Sequence, residues 1–187
     1  WGSDVFNFPL KSPLHKMILK YNLNKADKII STSNIMAKEL KFYTNKEITV
    51  IPFGIDIKLF RPMDSDSLFH KDDIVIGTIK SLEKVYGIEY LIKAFKIVRD
   101  KHLNLPLKLL IVGEGSLKYS LKNLTKKLSI EDVSVFTGKI PFFEVSKYHN
   151  MLTIYVSVSI NESFGVAALE ASACAKPVIV SNIGGFL

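Results

Sequence analysis

The chain has 187 residues, 48% apolar and 23% charged, and its 25 Lys and Arg against 18 Asp and Glu give a formal charge of +7. That balance excludes a disordered chain, and only 10 Gly and 7 Pro exclude a collagen-like or low-complexity one. One cysteine, Cys174, excludes a disulfide framework or a cysteine-based zinc cluster and fits a reducing, cytoplasmic compartment.

No stretch reaches the roughly 18 apolar residues of a membrane span. The opening Trp1, Gly2, Ser3 and Asp4 carry no basic region followed by an apolar core, so no signal peptide is read there. A start without Met and a stop just after a strand-like run lead us to expect a piece of a longer protein. The excess positive charge is mostly Lys. It reads as a solvated surface, or as attraction to an anionic membrane face or to phosphate-bearing substrates. Nucleic acid is not expected, because no basic run is interleaved with aromatics.

In chain order, residues 14–23 form a helical stretch in which Leu14, Met17, Ile18 and Leu23 sit among lysines. It reads as an ordinary surface helix, with a membrane-surface helix as the alternative. Residues 28–31 and 48–52 read as short strands flanking a helix over 33–43, which Ser33 can cap. Residues 62–73 are a polar loop. Its Asp64-Ser65-Asp66 triplet is a lone D-x-D that would need further ligands to hold a metal.

From residue 74 the alternation becomes regular. Strands are expected at 74–79, 107–112, 133–137, 154–158 and 177–180. Between them fall helices at 88–99, 117–128, 142–150 and 164–175. Ile88, Leu91, Ile92, Phe95 and Val98 mark the inner face of the first of these, and Leu117, Leu121, Leu124 and Leu128 that of the second. Strands alternating with crossover helices predict an α/β fold, a parallel sheet with helices on both faces. Ligands of such sheets bind beyond the carboxyl ends of the strands.

Residues that could carry chemistry cluster in the loops after those strands. Lys80 and Lys84 follow the strand at 74–79, and Gly87 opens the next helix, an arrangement suited to a diphosphate or simply a Lys-bearing surface loop. Gly113 and Gly115 allow close backbone approach, with Ser116 able to cap the next helix, although this is not a full G-x-G-x-x-G. Gly138, Lys139 and Ile140 could meet a flat base. Glu162 and Glu170 lie eight residues apart, about 12 Å along the axis if both were helical. That is too wide for an acid/base pair at one bond, and it suits carboxylates gripping two ends of a ligand. Between them the N–H groups around Phe164, Gly165 and Val166 would form a helix N-terminus that favours negative charge. Gly184 and Gly185 could close backbone amides over a phosphate or sugar, or form a plain turn.

Jointly these segments resemble glycosyltransferase family 4, the group 1 retaining nucleotide-sugar enzymes of the GT-B fold. The resemblance is carried by Val50–Asp56 with Phe60-Arg61-Pro62, by Gly77 through Lys84 and Gly87, and by Gly113-Glu114-Gly115. It continues in Val135–Gly138, Glu162-Ser163-Phe164-Gly165 through Glu170, and Lys176–Ser181 before Gly184-Gly185. Residues 1–4 and 26–33 look like the end of that family's first domain.

The resemblance implies two Rossmann-like domains: residues 1–54 as the tail of the acceptor-side domain, and 55–187 as a truncated donor domain. It implies transfer of a hexose from a nucleoside-diphosphate sugar to a saccharide or lipid-linked acceptor, with retention. The setting would be polysaccharide, lipopolysaccharide or glycolipid synthesis, in the cytoplasm or at the inner face of an anionic membrane. It assigns Glu162 with the Phe164 and Gly165 backbone to the sugar, Glu170 to the ribose, and Lys80 and Lys84 to the leaving diphosphate, with no metal required. The family's usual Arg after the glycine is Thr78 here, which leaves Lys80 to replace it. Little or no transfer is expected from this chain alone. The other readings are a non-catalytic nucleotide-sugar-binding module that needs a partner chain, and a metal-dependent transferase using Asp64 and Asp66.

Overall fold

The computed structural model describes residues 2–64 and 66–186, so Trp1, Leu187 and Ser65 of the D-x-D triplet lie outside the described residues. The chain divides into two compact units. The first comprises Trp1–Gly54, Asn161–Gly165 and Asn182–Leu187, and the second Ile55–Ile160 and Val166–Ser181.

The first unit contains α1 (Gly2–Phe6), α2 (Pro13–Lys25), β1 (Ile29–Ser31), α3 (Asn34–Leu40) and β2 (Ile48–Val50). Ser12 and Ser33 start α2 and α3 by accepting the N–H of His15 and Met36 on their hydroxyls, at 3.4 and 3.3 Å. Strands β1 and β2 pair in parallel with Ile29 opposite Ile48. Val5, Ile29, Met36 and Leu40 form the small core, with Phe6, Leu23, Ala26 and Ile48 packed against it. Helix α2 buries none of its residues.

The second unit is a five-stranded parallel sheet with helices on both faces. Its elements are β3 (Ile74–Ile79), α4 (Ile88–Lys101), β4 (Leu107–Val112), α5 (Lys118–Lys127), β5 (Ser134–Gly138), α6 (Val145–Met151), β6 (Ile154–Ser157), α7 (Val166–Ala173) and β7 (Val178–Val180). The strand order is β5-β4-β3-β6-β7. The chain therefore builds outward from β3 in one direction, then returns to its other side at β6. A doubly wound sheet binds ligands at such a reversal, outside the carboxyl ends of its strands.

An apolar core holds the sheet and its helices together. Leu109, Ile111, Ile92 and Ile130 are fully buried, and Phe95 and Leu121 nearly so. Each such side chain contributes about 1.5–3 kcal/mol by leaving water. On α4 the buried positions Ile88, Leu91, Ile92 and Phe95 follow helical spacing; Val98, in the last turn, keeps that spacing but is 39% exposed.

Most element ends shift by one to three residues from the sequence expectation, and three departures have a local cause. Helix α7 starts at Val166, not at 164, because Gly165 adopts φ +84°, outside the helical region. The helix expected over 142–150 opens as a 3-10 turn, Phe142–Glu144, before α6. The short α1 was not anticipated, since five residues carry too little periodicity to read.

Candidate functional site

All five strands of the second unit run the same way, so the loops after β3, β4, β5 and β6 emerge at one edge. Backbone hydrogen bonds knit them together. The Lys80 N–H donates to the Val112 carbonyl at 2.9 Å, and the Leu82 N–H to the Glu114 carbonyl at 2.9 Å. The Leu117 N–H donates back to the Leu82 carbonyl at 2.9 Å, and the Gly113 N–H reaches the Gly138 carbonyl at 3.0 Å. On the other side the Ile160 N–H donates to the Val85 carbonyl at 2.8 Å.

Two glycines make this closeness possible. Gly113, at φ +139°, lies so near the Lys80 carbonyl that a Cβ would collide with it. Gly87, at φ +61°, is the left-handed residue before α4, and a Cβ there would meet the Val158 carbonyl. Buried hydroxyls line the strand ends below: Thr78 on β3, Ser157 on β6, and Ser159 just beyond it. The Ser181 hydroxyl donates to the Ser159 carbonyl at 2.7 Å, and its N–H to the Ser157 carbonyl at 3.0 Å.

The expected cations sit on this edge. Lys84 is exposed in the 3-10 turn Lys84–Tyr86, and Lys80 stands with its Nζ 4.7 Å from the centre of the Tyr86 ring. The turn leads through Gly87 into α4, whose first N–H groups have no side-chain cap. Lys139 is exposed, and Gly138 is buried next to the Glu114 carboxylate. Glu114 in turn pairs with Lys118 at 2.7 Å.

Ser116 does not cap the next helix: Leu117 holds the cap position with no side-chain hydrogen bond. The reason is Glu83, which accepts the Ser116 N–H at 2.8 Å and its hydroxyl at 2.5 Å. The Ser116 hydroxyl, and then its N–H, hold the Glu83 carboxyl below the usual range. Sequence reading missed Glu83, since nothing local marks a partner 33 residues away.

Glu170 lies in the second turn of α7 and is 8% exposed. Its Oε2 is 3.4 Å from Nε2 of His149, a fully buried residue of α6 that the sequence reading also passed over. Val166 is the first residue of the same helix.

The remaining expected site residues belong to the first unit: Glu162, Phe164, Gly165, Gly184 and Gly185. Glu162 accepts the Ser163 N–H on Oε1 at 3.2 Å. The Phe164 ring meets Phe53 edge-on at 5.5 Å, and Gly165 packs on the Phe186 ring. Gly184 and Gly185 open the 3-10 turn Gly184–Phe186, with Gly185 against the Glu162 carbonyl. Glu162 precedes α7 and Glu170 lies inside it, the placement expected from the sequence.

A parallel sheet that reverses beside β3, with glycine-bearing and cationic loops at one edge, is a Rossmann-like unit of GT-B type. Residues 61–187 match the family described as glycosyl transferases group 1, and residues 1–33 match the glycosyl transferase 4-like family. The chain belongs to the group 1 glycosyl transferases.

The D-inositol 3-phosphate glycosyltransferase of Pseudarthrobacter chlorophenolicus is 27% identical over 170 residues, covering 86% of this chain and 40% of its own length. The N-acetyl-alpha-D-glucosaminyl L-malate synthase of Bacillus anthracis is 28% identical over 192 residues, covering 98% of this chain and 49% of its own length. Among solved structures, sucrose-phosphate synthase from Thermosynechococcus elongatus superposes with a TM-score of 0.82 at 26% identity, over 99% of this chain and 48% of that one. Anabaena HepE, solved in complex with UDP and glucose, gives a TM-score of 0.78 at 22% identity, over 94% of this chain and 51% of that one. The chain thus spans about half the length, or less, of the relatives it matches.

Proposed function

We propose that the second unit binds the nucleoside-diphosphate end of a sugar donor for a retaining hexosyltransferase of polysaccharide or glycolipid synthesis. The observation that carries the reading is the joining of four βα loops at one sheet edge, with Lys80, Lys84 and the open N-terminus of α4 among them. The relatives' names and the UDP and glucose held by HepE supply the ligand class.

The chemistry follows from charge. Breaking the anomeric C–O bond leaves its electron pair on the β-phosphate oxygen and positive charge on the sugar carbon. Ammonium groups and backbone N–H groups already aimed at the diphosphate stabilise that change more than they stabilise the intact donor. In this reading Lys84 and Lys80 take the diphosphate, with Gly113 and Gly115 letting the backbone approach it. Gly138, Lys139 and Ile140 face the base, and Glu170 receives the ribose hydroxyls. Glu162, with Phe164, Gly165, Gly184 and Gly185, serves the sugar. The cations do the neutralising, so the reaction proceeds without a metal. The protein works in the cytoplasm, its Lys-rich surface resting on an anionic membrane where the acceptor is lipid-linked.

Titration of the chain with UDP- and GDP-sugars tests the reading. One nucleotide series binds, Lys84→Ala weakens it about ten-fold or more, as expected for a charge-assisted contact, and excess EDTA changes nothing. Binding that Lys84→Ala and Lys80→Ala leave intact would remove the diphosphate assignment.

A further inference from the structure

We infer that His149 is a positioning residue: from behind α7 it fixes the carboxylate of Glu170 in the orientation that receives the ribose hydroxyls. The inference rests on the nucleotide reading given above and adds to it a residue of α6.

The geometry points one way. His149 is completely buried, and its Nε2 lies 3.4 Å from Oε2 of Glu170, whose side chain is 11% exposed. The second ring nitrogen, Nδ1, is buried without a hydrogen-bond partner. Of the possible forms of the ring, only the neutral one protonated on Nε2 fits. It donates to Glu170 and leaves Nδ1 as a bare lone pair, whereas an imidazolium would bury a second N–H with no acceptor. Among the described residues Oε1 of Glu170 accepts no hydrogen bond. One oxygen is tied down, and the other remains to receive a ligand hydroxyl.

The ring itself is held. Phe60 meets His149 edge-on at 6.0 Å and Tyr155 of β6 packs at 5.5 Å. Phe60 also meets Phe142 at 6.0 Å, at the end of the loop after β5. The aromatic row therefore runs from the loop assigned to the base to the carboxylate assigned to the ribose. An imidazole with a single donor, clamped between rings, fixes a carboxylate's rotamer in the way outer partners orient ligating groups. Filling the core alone calls for no donor at that place, and an apolar ring would do so without the bare nitrogen.

The test compares ribose with 2′-deoxyribose. The 187-residue chain is titrated calorimetrically with UDP and 2′-deoxy-UDP, and with GDP and 2′-deoxy-GDP. The wild type favours the ribose form by about ten-fold, the scale of one hydrogen bond to a charged group. Glu170→Ala abolishes the preference. His149→Phe keeps the ring contacts but removes the donor, and cuts the preference to about two-fold or less. His149→Gln, which can offer an N–H to the same carboxylate, restores it. A preference unchanged in His149→Phe, or equal weakening of both nucleotides, overturns the positioning role while Glu170→Ala still supports the ribose assignment. A preference retained in Glu170→Ala overturns the ribose assignment and the inference with it, whereas no binding by either pair overturns the nucleotide reading itself.

Discussion

Glu83 and Ser116 are joined twice: one carboxylate takes both the N–H and the hydroxyl of a serine 33 residues further on. The pair ties the loop carrying Lys80 and Lys84 to the start of α5. It also makes the loop's geometry depend on the charge of one glutamate.

That dependence has a definite sign. The Glu83 carboxyl titrates below its ordinary value of 4.5 in the folded chain, so the unfolded chain binds the proton more readily. The stabilisation is complete above the ordinary value and is lost as the pH falls through the lower folded one. Thermal melts should place wild type above Glu83→Gln at pH 7, with the two converging in acid. A gap that persists unchanged at the lowest pH would show that the carboxylate's charge is not what holds the loops.

Gly113→Ala tests the contact between the loops after β3 and β4. A Cβ there would collide with the Lys80 carbonyl, and φ +139° is strained for any L side chain. We expect a stability loss of about 1–3 kcal/mol, together with nucleotide affinity at least as impaired as in Lys84→Ala. Loss of stability with unchanged affinity would separate Gly113 from the binding site.

Cys174 follows α7 and is 1% exposed, and burial pushes its thiol up from the ordinary range. A disulfide reagent at pH 8 should modify it about a hundred-fold more slowly in the native chain than in urea. Comparable rates in both would mean that the packing around α7, and with it the setting of Glu170, opens readily.

The sequence made some of this legible. Strands β3 and β4 are largely apolar runs, the first between Asp73 and Lys80 and the second between Pro106 and Gly113, and the ends expected from the sequence match the observed ones. The cap at Ser33 and the glycine before α4 were visible because each acts on residues within one turn. Ser116 was misread for the opposite reason: its hydroxyl goes to a distant carboxylate that outcompetes the local cap. His149 gave no signal at all, since a histidine between Tyr148 and Asn150 looks like any polar helix residue until α7 is laid against α6. The late start of α7 depends on the φ of Gly165, which no periodicity encodes.

The most direct test of the account is hydrogen exchange on the chain with and without saturating UDP or GDP. Protection should appear together in residues 80–87, 113–117 and 138–141, the loops that the backbone network joins at one edge of the sheet, and also at the start of α7. Protection confined to the opposite edge of the sheet, or in only one of those segments, would contradict a shared diphosphate cradle.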